Sequence, residues 1–119
     1  MTPAKLGHPE DLKDTDAHAA VVKALRTKWM AESFPMRMAQ IAARVESGGF
    51  LVGDTVTIAD CLLVPTLARF PQGTVDYIDA ACMDAYPAVP GVQAYVARFM
   101  ALPRVSAYYH ALAAAKAAA

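Results

Sequence analysis

Apolar residues recur at helical spacing along the first half of the chain: Val22, Leu25 and Trp29, then Phe34, Met38, Ile41 and Val45. Positions three and four apart share one face of a helix, so the series predicts a long amphipathic helix with one buried stripe. Asp14, Thr15 and Asp16 stand before it. They offer N-cap oxygens and negative charge where a first turn leaves its amides unpaired. Ser47-Gly48-Gly49 ends the helix, because glycine takes up the left-handed cap conformation without steric cost. Pro35 lies inside and lacks an amide hydrogen, so a kink is expected near residues 31–33, with two separate helices as the alternative.

Beyond a short loop, residues 49–54, Thr57 opens a second helix over residues 58–70, whose polar members are only Asp60, Thr66 and Arg69. A helix apolar on nearly every side is expected at the centre of a domain. Pro71-Gln72-Gly73 breaks the chain, and Thr74 is positioned to cap a helix from Val75 to about Ala85. The stretch 86–91, with two prolines and a glycine, is a further break. Val92, Tyr95, Val96 and Phe99 then trace an amphipathic helix to about Ala101, and Pro103 suits the first turn of a last one. No stretch alternates as a strand would. The fold class is all-α with about five helices, residues 1–13 forming a connector or the remnant of a preceding helix and residues 14–119 the helical domain.

Composition narrows the function classes. Apolar residues make up 56% and charged residues 18% of the chain, which excludes a disordered tail. Eleven basic residues balance eleven acidic ones, so neither nucleic acid nor an anionic membrane is an expected partner. Charges and prolines interrupt the apolar runs too often for a membrane span, and a cytoplasmic location is expected. Cys61 and Cys82 sit in apolar surroundings at no metal-like spacing, and two buried reduced thiols are the expected state.

The most informative local pattern is Gly53-Asp54-Thr55-Val56-Thr57-Ile58-Ala59-Asp60. Thr57 is placed to accept from the amide of Asp60, while the Asp60 carboxylate reaches back to the amide of Thr57. Val56 and Cys61 stand where a hydrophobic staple would accompany such a box. Each unpaired amide at a buried helix start would cost about 1–3 kcal/mol.

With the preceding Gly49-Phe50-Leu51-Val52, this stretch resembles the cytosolic glutathione S-transferases, most closely their sigma-like branch. Support comes from Tyr86-Pro87, from residues 92–99, from Leu102-Pro103-Arg104-Val105-Ser106-Ala107-Tyr108, and from the 29–45 helix with its internal Pro35. Together these cover residues 22–109. The resemblance implies a transferase C-terminal helical bundle, N-terminally truncated, in which Thr57 and Asp60 are a folding element. It implies that Pro65 and Thr66 line the hydrophobic substrate pocket. Glutathione, the family's co-substrate, would be bound and activated by a thioredoxin-like domain that has no counterpart in this sequence. The chain is therefore expected to hold no catalytic residue and no cofactor of its own.

Other residues invite chemistry less well. Tyr108-Tyr109-His110 pairs proton donors with a group that titrates near neutrality, but aromatic packing beside an exposed histidine is the simpler account. The acidic group Glu10, Asp11, Asp14 and Asp16 lacks the glycine and ligand spacing of a cation loop and fits helix-start electrostatics. Met30, Met36 and Met38 are expected as core filler. Ser33 and Ser106 lack recognisable histidine and carboxylate partners, so no nucleophile is expected.

Two functions remain at this point: part of a glutathione transferase that supplies half of the electrophile pocket, or a stand-alone association module of the kind appended to translation factors and tRNA synthetases. The 22–109 match favours the first, and Met1 with the absent sulfur-binding half favours the second. Loss of the family's fourth helix would uncover the 22–45 helix, so self-association is expected.

Overall fold

The computed structural model of the chain describes residues 15–119. The helix expected over residues 22–45 is two helices, α1 (Asp16–Glu32) and α2 (Phe34–Gly48), meeting at Ser33. Thr15 caps α1, its hydroxyl accepting from the His18 amide at 3.2 Å. Ser33 keeps helical dihedrals, and its amide still reaches the Trp29 carbonyl at 2.8 Å. Pro35 thus falls in the first turn of α2, where a missing amide removes no ladder bond. In the turn before it, the Met30 carbonyl accepts from the Tyr86 hydroxyl at 3.0 Å. A side chain 56 positions away thereby satisfies backbone beside the break.

α2 ends at Gly49, whose φ of 86° is the left-handed conformation and whose amide returns to Val45 at 2.9 Å. Gly48 is needed for space, since a Cβ there would lie 2.3 Å from the Gly53 carbonyl oxygen as the loop folds back. α3 follows (Ile58–Leu67), then α4 (Val89–Met100) and α5 (Pro103–Ala118). The described residues hold five α-helices and no strand, so the all-α reading holds.

The helix expected from Val75 does not form. Tyr77 has a φ of 61°, outside the helical region, and the segment runs through turns into a short 3-10 helix, Ala80–Asp84. Asp79 caps that turn by accepting from the Ala81 amide at 3.0 Å. Thr74 donates instead to the Arg69 carbonyl at 3.3 Å, stitching the turn that closes α3 three residues earlier than expected. α4 starts inside the expected break, with Pro90 in its first turn.

α4 is the hub. It packs along α2, and α3 and α5 lean against it, while α1 packs on α2. Val89, Val92, Tyr95 and Phe99 of α4 meet Phe34, Met38 and Val45 of α2, with Val64 and Leu67 of α3 closing the core. Phe34 centres an aromatic cluster, its ring 5.6 Å from Trp29, 5.4 Å from Phe70 and 5.3 Å from Tyr86, in edge or tilted arrangements of the kind that add to area burial.

Several expectations about burial fail for one reason. α3 is buried only along Asp60, Val64 and Leu67, while Ile58 and Leu62 are 77% and 72% exposed and Cys61 is exposed too. With Val56 also exposed, no buried staple joins it to Cys61. Leu25 and Met36 likewise face outward, and Tyr108 and Tyr109 pack on each other, 5.2 Å apart, rather than in the core. Apolar composition records what a face tolerates; among the described residues nothing covers these faces.

Replacing Tyr86 by Phe keeps the ring cluster and leaves the Met30 carbonyl without its donor. The expected loss is about 1–3 kcal/mol, read from the urea midpoint at unchanged slope.

Candidate functional site

Asp60 is the only fully buried charged side chain among the described residues. Thr57 is the N-cap of α3, and its amide donates to Asp60 Oδ2 at 2.8 Å, while its hydroxyl lies 3.4 Å from the same oxygen. Asp60 Oδ1 accepts from the Leu51 amide at 3.1 Å and from the Tyr95 hydroxyl. One carboxylate therefore joins the start of α3 to the preceding loop and to α4. Burial by itself pushes the carboxyl up, but the hydrogen bonds from Tyr95, Thr57 and Leu51 outweigh it and hold Asp60 below its ordinary 3.8. Burial, and then the bond to Asp60, push the Tyr95 phenol up in turn. These groups tie the start of α3 to the preceding loop and to α4.

Tyr95 and Leu51 escaped the sequence reading. The available signal was an acid at position 60 in an otherwise apolar helix and a tyrosine in the buried Val92, Tyr95, Phe99 row, since a buried phenol requires a partner.

Pro65 and Thr66 both lie exposed on the outer side of α3. Pro65 and Cys61, one turn apart, form one wall of a cleft of about 280 Å³ whose other wall is α5; Thr66 does not line it. Arg104, Val105, Tyr108 and Tyr109 supply the α5 side, and Phe99 of α4 the floor. A second hollow, about 370 Å³, opens between α2 and α3 over Ile41, Leu51 and Leu63, with Arg37 and Arg44 on its rim. Both are shallow and largely apolar.

Among the described residues the other titratable groups assemble no acid–base constellation. Ser106 Oγ and His110 Nδ1 are 3.5 Å apart on the exposed side of α5, one turn apart on the same helix and with no carboxylate behind the imidazole. Burial, reinforced by Asp79 and Asp84, pushes the Cys82 thiol up, which disfavours the thiolate. Among the described residues no cluster of His, Cys, Asp or Glu could hold a metal, and no helix is long and apolar enough to cross a membrane. Of the acidic group near the N-terminus only Asp16 is described, in the first turn of α1; Glu10, Asp11 and Asp14 lie outside the described residues.

Comparison with known proteins is consistent with this architecture. The family described as glutathione S-transferase, C-terminal domain, matches residues 13–111. A maleylpyruvate isomerase from a Ralstonia species is 34% identical over 92 residues, the match covering 68% of this chain and 43% of that protein. The chain thus matches less than half of the relative's length. No solved structure matches.

Replacing Asp60 by Ala removes the bond to the cap amide and strands the Leu51 amide and Tyr95 hydroxyl. A loss on the order of 3 kcal/mol is expected in denaturant unfolding. The depressed Asp60 carboxyl binds its proton less readily in the fold than in the unfolded chain. Its stabilisation is therefore complete well above pH 3.8 and is lost as pH falls below that value toward the folded pKa. In Asp60→Asn this part of the acid-limb slope is expected to vanish; an acid limb identical to wild type would contradict the assignment.

Proposed function

The chain belongs to the glutathione S-transferase C-terminal domain family, and from that premise we propose that it is the helical half of a glutathione-dependent enzyme, with α3 forming one wall of the apolar pocket for the electrophilic substrate. The observation that carries this reading is the outer face of α3. Ile58 and Leu62 are largely uncovered, with Pro65 and Thr66 exposed beside them, on a helix whose inner side is fixed by buried Asp60. An exposed apolar face on a rigid support is what a substrate wall requires, because apolar substrates gain affinity from burial and reactivity from fixed placement.

In this reading Pro65 and Thr66 contact the substrate, Thr57 and Asp60 form the cap that starts α3, and no residue of the chain activates glutathione. That task belongs to a thioredoxin-like domain, the proposed partner. The name of the Ralstonia relative supports conversion of a small organic substrate in the completed pocket. The proposed location is the cytoplasm, in keeping with the family's cytosolic members.

The full 119-residue chain provides the test. It is expected to conjugate glutathione to no electrophile and to pass through a glutathione resin, whereas neutral 1-naphthalenemethanol shifts the amide resonances of Leu62 and Thr66. Turnover that survives repurification, or shifts that avoid α3, would overturn the reading.

The uncovered apolar side chains of α1, α2 and α3, Leu25, Met36 and Leu62 among them, also support self-association of the chain. Sedimentation velocity is expected to show a concentration-dependent dimer. A strict monomer at high concentration would contradict it.

A further inference from the structure

The cleft between α3 and α5 carries a chemical preference beyond its apolar walls. We propose that it binds an organic carboxylate with a planar apolar body, the carboxylate seated on Arg104. This rests on the reading of Pro65 as part of a substrate wall and specifies what that wall receives.

Four features converge. Arg104 and Tyr108 stand one turn apart on α5, as do Val105 and Tyr109, so a cationic head and an aromatic face lie in adjacent rows along one side of the helix. Opposite them Cys61 and Pro65 contribute apolar surface, and the buried ring of Phe99 closes the floor. The cleft's volume of about 280 Å³ fits one or two fused rings better than an extended chain.

The second feature is the state of Arg104. Among the described residues it has no ion-pair or hydrogen-bond partner, and no carboxylate lines the cleft. A guanidinium presents a planar fork that matches a carboxylate with two parallel hydrogen bonds. The contrast with Arg98 is informative, because that side chain is spent on the Gly49 carbonyl at 3.1 Å.

Third, Arg104 occupies the first turn of α5, directly after Pro103, and no side chain caps that helix. The positive end of the helix therefore adds to the guanidinium's charge there. Fourth, the Tyr108 and Tyr109 rings, edge to face at 5.2 Å, form a preset aromatic surface on which a flat ligand body can stack.

The experiment titrates the full chain with 1-naphthoate and with neutral 1-naphthalenemethanol while amide shifts are followed. Naphthoate is expected to shift Cys61, Arg104, Val105 and Tyr108. It should bind wild type about tenfold more tightly than Arg104→Gln, with Arg104→Lys between them. Lys28→Gln, which removes one positive charge on α1 away from both hollows, should bind like wild type. Equal affinity of acid and alcohol with shifts on α3 would overturn the carboxylate preference and leave the substrate-wall reading standing. Unchanged binding by Arg104→Gln, or shifts confined to the α2–α3 hollow, would also overturn it. If neither compound perturbs α3, both readings fail.

Discussion

One carboxylate organises this domain. Asp60 is fully buried in a core that is otherwise apolar, and it is held there by the amides of Thr57 and Leu51 and the hydroxyl of Tyr95. A buried charge without such partners would cost several kcal/mol, so the fold that supplies all three is strongly preferred over any that supplies two. The partners come from three parts of the chain: the loop after α2, the cap of α3 and the middle of α4. Fixing Asp60 thus fixes where α3 begins and how it sits on α4, the helix against which α2, α3 and α5 pack.

The proposed function draws on what this anchoring leaves free. With its inner row of Asp60, Val64 and Leu67 buried, α3 presents Ile58, Leu62 and Pro65 outward without needing them for its own placement. In the proposed function α3 thus provides surface to a reaction whose chemical groups lie elsewhere. α5 then adds what α3 lacks, a cation and two phenols across the cleft.

Much of the fold was legible because local rules and tertiary packing agree. Helical spacing in residues 22–45, the glycines after Val45, and Pro103 at a helix start all act within a few residues of themselves. Pro35 placed the break correctly, and the alternative of two helices proved to be the outcome. The segment after Phe70 misled because Thr74 and Asp76 mimic a helix start while Tyr77 takes a positive φ that no propensity rule anticipates. Burial of α3 was overestimated because hydrophobicity around a helix does not say which side has a neighbour. The site was legible only in part: Pro65 and Asp60 stand out within α3, whereas Tyr95 lies 35 positions from Asp60 and Arg104 joins Pro65 only through the crossing of α5.

If the Asp60 network organises the fold it opens only with global unfolding, and native-state hydrogen exchange of the Leu51 and Thr57 amides tests this most directly. Both amides donate to Asp60 outside the helical ladder, so their protection reports the carboxylate itself. Protection close to that of global unfolding is expected in wild type, and a loss at both amides in Tyr95→Phe. Fast exchange at Leu51 and Thr57 while the α4 core stays protected would contradict it.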